Sequence, residues 1–135
     1  MTDPSSGLLD TSVFIARETG QPLGELPDHI AVSVVTIGEL QLGVLNAGDA
    51  ANCARRADTL ALARTADPIA LNEAVMVSWA RLVADCRVAG IHRMVKLTDA
   101  LIAATAIERG LAVVTQDNDY DQITTAHPPL RVLKV

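Results

Sequence analysis

Aromatic rings are scarce in this chain: Phe14, Trp79 and Tyr120 supply 2% of 135 residues, too few for an exposed sheet that stacks nucleobases. That argues against RNA-recognition-motif and OB-type binding. Positive charge is also in deficit, with 11 Lys and Arg against 16 Asp and Glu, a net charge of -5 and a pI near 5.0. Spread evenly, such charge would repel a phosphate backbone. Its distribution can overcome that repulsion, because acids gathered on a divalent cation leave Arg17, Arg55, Arg56, Arg64, Arg87, Arg93 and Lys96 free to line a rim. Cysteine is limited to Cys53 and Cys86, far apart and in no CxxC pattern, so neither a disulfide framework nor a zinc knuckle is signalled. Both are expected to be core thiols. No apolar run approaches the length of a membrane span, and the opening "MTDPSSG" has neither a basic nor an apolar leader segment. A cytoplasmic protein without membrane association is the expectation.

What is present is a chain with 50% hydrophobic residues, enough for one domain with one core. Residues 1–6 are expected to be frayed and 7–135 to form a single domain. "GLLDTSVFIA" reads as a first strand ended by Asp10 and followed by a loop, and "IAVSVV" as a buried second strand. Thr36 and Glu39 have capping-box spacing at the start of "TIGELQLGVL", which predicts a helix there. A helix over 49–66 follows, then a short strand in "DPIALN" and a helix capped by Asn72 and ended by Gly90. "TDALIAATAIERG" predicts a buried helix capped by Thr98 or Asp99 and stopped at Gly110. "LAVVT" and "LRVLKV" are the last strands, the latter at a sheet edge behind Pro128 and Pro129. Strands alternating with helices indicate a three-layer α/β domain with a parallel sheet.

Ligands of open parallel sheets bind beyond the carboxyl ends of the strands. Asp10 ends the first strand, Glu39 lies one turn into the helix after the second, Asp99 opens a helix, and Asp117 follows "LAVVT". Four separate segments can thus deliver acids to one place. Packed carboxylates raise one another's pKa and lose charge unless a divalent cation keeps them ionised, and hard oxygen ligands suit Mg2+ or Mn2+. Each acid also has an ordinary explanation. Asp10 with Thr11 and Ser12 can form a turn, Glu39 can complete the capping box with Thr36, and Asp99 can be an N-cap, which is compatible with a ligand role. Asp117, Asp119 and Asp121 can form a solvated loop, with Asp121 assigned to the surface. A calcium loop of the EF-hand type fails on spacing, since Gln122 stands where Gly is needed and Pro128 where Glu is needed. His29, His92 and His127 have no ligand spacing, and no GxSxG elbow exists.

Taken together, "LLDTSVFI", "TIGEL", "LTDALIAATA" and "LAVVTQDNDY" resemble, in order and spacing, the PIN-domain family of metal-dependent nucleases over residues 7 to 134. The short single-domain length makes the likeness nearest to VapC-type toxins of toxin–antitoxin pairs. The resemblance implies a parallel sheet of about five strands flanked by helices, and an endoribonuclease that uses Mg2+ or Mn2+ and leaves 5′-phosphate and 3′-hydroxyl ends. It places Asp10, Glu39 and Asp99 on the family's three acidic positions and Asp117 on the fourth. Thr11, Ser12 and Thr115 fall on supporting hydroxyl positions. Asp119 falls on the acid before an aromatic, here Tyr120 where Phe is commoner, so Asp117 and Asp119 both stand as candidates for the fourth ligand. The partners implied are an RNA substrate, a cognate antitoxin that occupies the acidic cleft, and a second copy in a homodimer.

Three competitors differ in what they require. A receiver domain would need paired acids after the first strand and a Lys after the last but one. An aspartate-nucleophile phosphatase would need an acid where Ser12 stands. A noncatalytic binding domain of the same fold would use its acids for capping and solubility alone.

Overall fold

Apolar residues that alternate between two faces make the sheet, and small-residue helices cover both sides. The computed structural model describes residues 5–135, so the expected fraying of residues 1–4 lies outside the described residues. Ser6 already belongs to a strand. The elements are β1 (Ser6–Leu9), α1 (Thr11–Thr19), β2 (His29–Ala31), α2 (Val34–Leu45), α3 (Ala50–Arg64), α4 (Glu73–Val88), a 3-10 turn (His92–Met94), α5 (Leu97–Arg109), β3 (Ala112–Thr115), α6 (Asp121–Ala126) and β4 (Val132–Lys134).

Among the described residues the strands form one parallel sheet in the order β2-β1-β3-β4, with Leu8 opposite Ala31, Leu9 opposite Val114, and Val114 opposite Leu133. Leu8 and Val113 face one apolar cluster with Leu82, Ile102, Tyr120 and Ile123, while Leu9 and Val114 face another with Val13, Phe14, Leu40 and Leu60. Successive residues pointing to opposite faces thus put α4, α5 and α6 on one side and α1, α2 and α3 on the other. This is the expected three-layer α/β arrangement. Four strands stand where the resemblance implied about five, because "DPIALN" contributes only the bridge of Ile69 to Ser33.

Several local expectations are corrected. No loop follows β1: Asp10 is the N-cap of α1, and "TSVFI" is helical because Val13, Phe14 and Ala16 fall on one buried face. Strand β2 is short and mostly exposed, since it lies at the sheet edge, and full burial begins beyond it at Val32 and Ser33. Helix α2 starts three residues earlier than the capping-box reading places it. Ser33 is its N-cap, with Oγ accepting from the Val35 N–H at 3.1 Å, so Thr36 lies inside the helix. Helix α5 has Lys96 as N-cap without a side-chain cap bond, leaving Asp99 in the first turn and buried. The short helix α6 carries no apolar repeat long enough to announce it. Cys86 is buried and its thiol pKa is raised by burial and by Asp85, whereas Cys53 is only half-buried.

The chain leaves β1 toward β2 on one side and later places β3 on the other. The crevice between the carboxyl ends of β1 and β3 is therefore the topological switch point of the sheet.

Candidate active site

Asp10 is carried to that crevice by β1, with its N–H donating to the Val114 carbonyl at 2.8 Å. Its side chain is 4% exposed and both oxygens are engaged. Oδ1 accepts from the Tyr120 hydroxyl at 2.8 Å, and Oδ2 accepts from Thr115 Oγ1 at 3.1 Å and, more weakly, from the Ser12 N–H at 3.4 Å. Because Thr115 spends its one proton on the carboxylate, the Ser12 hydroxyl 3.2 Å away donates to Thr115 and itself accepts from the Gln116 N–H at 3.0 Å. Thr115 also accepts from the Asp117 N–H at 3.0 Å, which ties the loop after β3 to the same network. The hydroxyls of Ser12 and Thr115 thus belong to one network built around Asp10.

Glu39 arrives on the inner face of α2, where its Oε1 accepts from Thr11 Oγ1 at 2.7 Å, with the Thr36 hydroxyl 3.0 Å from the same Thr11 oxygen. The anticipated Thr36–Glu39 box is therefore replaced by a tertiary link across α1 and α2. Asp99 reaches the crevice from the first turn of α5, and Asp117 and Asp119 from the loop after β3.

A cavity of about 280 Å3 is lined by all five acids, Asp10, Glu39, Asp99, Asp117 and Asp119, together with Thr11, Ser12, Thr98, Gln116 and Lys96. Asp99 has its pKa raised to about 6, by burial first and then by Asp10 and Asp119, with Glu39 adding a little and Lys96 opposing. Asp117 is also raised, by desolvation of its inner side and by Asp10 and Asp119, although solvent at the mouth screens it. The Tyr120 hydroxyl is pushed far up by burial and by Asp10, so it stays a neutral donor. Lys96, 3.7 Å from Asp119, is an exposed cation and offsets the negative charge only in part.

The donors are all oxygen, the chemistry that hard divalent cations prefer. They fit such an ion by concentrated charge on a shared wall and not by a finished cage: among the described residues no three His, Cys, Asp or Glu side chains already form a metal-holding group.

A family model described as PIN domain matches residues 7–125. The chain belongs to the PIN-domain family. Ribonuclease VapC8 of Mycobacterium tuberculosis is 74% identical over 100 residues, spanning 74% of this chain and 89% of that protein. Ribonuclease VapC4 of the same organism is 44% identical over 133 residues, 95% of each chain. A chain in the crystal structure of VapBC-5, a member of the VapBC family of toxin–antitoxin systems from M. tuberculosis, superposes with a TM-score of 0.87 at 35% identity, covering 98% of this chain and 100% of that one.

In this PIN domain every acid and hydroxyl singled out in the sequence as a site residue lies at the crevice or in its hydrogen-bond network. Sequence reasoning misses two contributors: Thr36, whose spacing points to a cap, and Tyr120, which spacing marks only as an aromatic in a polar loop. Gln116 and Thr98, adjacent to singled-out residues, also line the cavity. The residues placed elsewhere are also informative. Asp121 pairs with Lys134 at 2.7 Å on the surface, and His127 is buried against Asp85 at 2.6 Å, which joins the end of α6 to α4. Among the described residues no helix is long and apolar enough to cross a membrane.

Proposed function

We propose that this PIN domain is a metal-dependent endoribonuclease, the toxin of a toxin–antitoxin pair, acting on RNA in the cytoplasm. The observation that carries the reading is one cavity wall holding five carboxylates from four separate segments of the chain, with Lys96 as the one cation lining it among the described residues. Glu39 completes no capping box and Asp99 makes no cap bond, so the capping role that a noncatalytic domain would give them is missing. The named ribonucleases among its relatives, and the toxin–antitoxin structure that shares its fold, support the same assignment.

Asp10, Asp99 and Glu39, with Asp117 or Asp119, would hold Mg2+ or Mn2+. Bound there, the ion supplies Lewis acidity toward a phosphoryl oxygen and lowers the pKa of a water. The remaining work belongs to the protein. Asp10, fixed by Tyr120 and Thr115, presents its charge in one orientation. Asp99, on the same cavity wall, is placed to orient the attacking water. Lys96 at the rim attracts the nonbridging oxygens of the incoming phosphate. Water oxygen bonds to phosphorus, the bond to the 3′ oxygen breaks, and that oxygen leaves to become a 3′-hydroxyl, so the other fragment keeps a 5′-phosphate.

End-mapping of cleaved RNA tests this chemistry. The expected ends are 5′-phosphate and 3′-hydroxyl, formed only with metal; 2′,3′-cyclic phosphate that persists in chelator would contradict it. An antitoxin that fills the acidic cleft and a homodimer complete the reading. Expression alone is expected to arrest growth and Asp99→Asn to relieve the arrest, whereas equal toxicity of both forms would remove catalysis as the cause.

A further inference from the structure

Asp10 is held by a residue the acidic constellation does not include. Tyr120 is the single tyrosine of the chain and is fully buried, its ring packed in the cluster beneath the sheet with Ile102, Ile123 and Leu82. From there its hydroxyl donates to Asp10 Oδ1 at 2.8 Å. The ring cannot move without disturbing the core, so the donor is immobile and aims at one carboxylate oxygen. Thr115 Oγ1 takes the other oxygen at 3.1 Å, which leaves the carboxylate clamped between two hydroxyls across more than a hundred residues of sequence.

We infer that Tyr120 is a positioning residue, which sets the orientation of the Asp10 carboxylate and so pre-organises this PIN domain for its divalent ion. The inference rests on the metal-dependent reading above. A carboxylate that bonds to an ion through one lone pair must be held through the others, and partners of this kind govern ligand direction. Loss of such a partner costs roughly 10–100-fold in metal affinity. Phenylalanine fills the same space, so Tyr120→Phe deletes the hydroxyl and keeps the packing.

Calorimetric titration of the purified chain with Mn2+ tests this beside thermal melting without metal. Tyr120→Phe is expected to bind Mn2+ at least tenfold more weakly than the parent while melting cooperatively in chelator within a few degrees of it. Equal or tighter Mn2+ binding by the variant overturns the inference but leaves the metal reading standing. A parent chain that binds no Mn2+ overturns both. If the variant fails to fold, ultraviolet resonance Raman of the parent decides, because its tyrosine signal comes from Tyr120 alone. The tyrosine doublet should report a strong donor that weakens as Mg2+ draws charge from Asp10; a doublet unchanged at saturation overturns the inference.

Discussion

Asp99 shows how one side chain registers its whole surroundings. Burial removes water from it, and Asp10 and Asp119 add repulsion, so it carries the largest displacement among the acids of the crevice. Asp99→Asn keeps the shape and removes the charge. It is expected to cut Mn2+-dependent RNA cleavage by at least about 100-fold, in line with loss of a group that acts directly on the reacting atoms. The same change should raise the metal-free melting temperature, because a repulsion is relieved, and differential scanning fluorimetry would show it. A variant that cleaves at the parental rate would remove Asp99 from the chemistry. The acids were legible in the sequence because each follows an apolar run that can only be a strand or opens a helix, positions that converge in a parallel sheet. Tyr120 and Thr36 were not. Their importance comes from contacts to Asp10 and Thr11 that are distant in sequence and leave no periodic trace.

Strand and helix boundaries are decided by contacts of a few atoms, which is why they slipped where the elements themselves did not. Ser33 outcompetes Thr36 as a cap because its oxygen meets the Val35 N–H as the chain leaves β2, while Thr36 is drawn inward to Thr11. Ser33→Ala should cost about 1 kcal/mol in urea unfolding, the usual worth of an N-cap, with a somewhat larger loss if the partly buried Val35 N–H finds no other acceptor. The sheet imposes a second local limit at Gly7. A Cβ there would lie 2.5 Å from Val114 Cγ2 and 3.1 Å from Pro27 Cγ, so β1 and β3 could not keep their approach. Gly7→Ala is expected to destabilise by about 1–3 kcal/mol through overpacking, measured by the same unfolding midpoint. A neutral result would mean that the Val114 side chain turns away at little cost. Helix α5 was the most readable element, since "ALIAATA" has small residues on every face that touches the sheet or α4.

For the molecule as a whole, the strand order places a charged crevice at the one point where the chain reverses its direction of winding, and that crevice stores electrostatic strain. The pH dependence of stability should reveal it. Asp99 holds its proton more tightly in the folded chain, with a pKa of about 6 against an ordinary 3.8, so its contribution is fully present below the lower value and is lost as pH rises through the higher one. The metal-free protein should therefore lose stability between about pH 4 and pH 7 relative to Asp99→Asn, compared by urea unfolding at each pH. Saturating Mn2+ should reverse that slope, because an ion bound by carboxylates favours their ionised form. Parallel pH curves for the two proteins would show that Asp99 is not under strain. The three-layer architecture was accessible from the alternation of apolar runs alone, but the depth of the crevice and the clamp on Asp10 exist only after all its segments are assembled.

The most direct test of the central claim, that acids from separate segments form one metal-dependent cutting site, is cleavage of structured RNA by the purified chain. It should be run with Mn2+ and with chelator, beside Asp10→Asn and Asp99→Asn. The expected result is cutting by the parent with Mn2+ only, lost in both variants while their folded state is intact by circular dichroism. Cutting that survives in chelator, or in either variant at the parental rate, would contradict it.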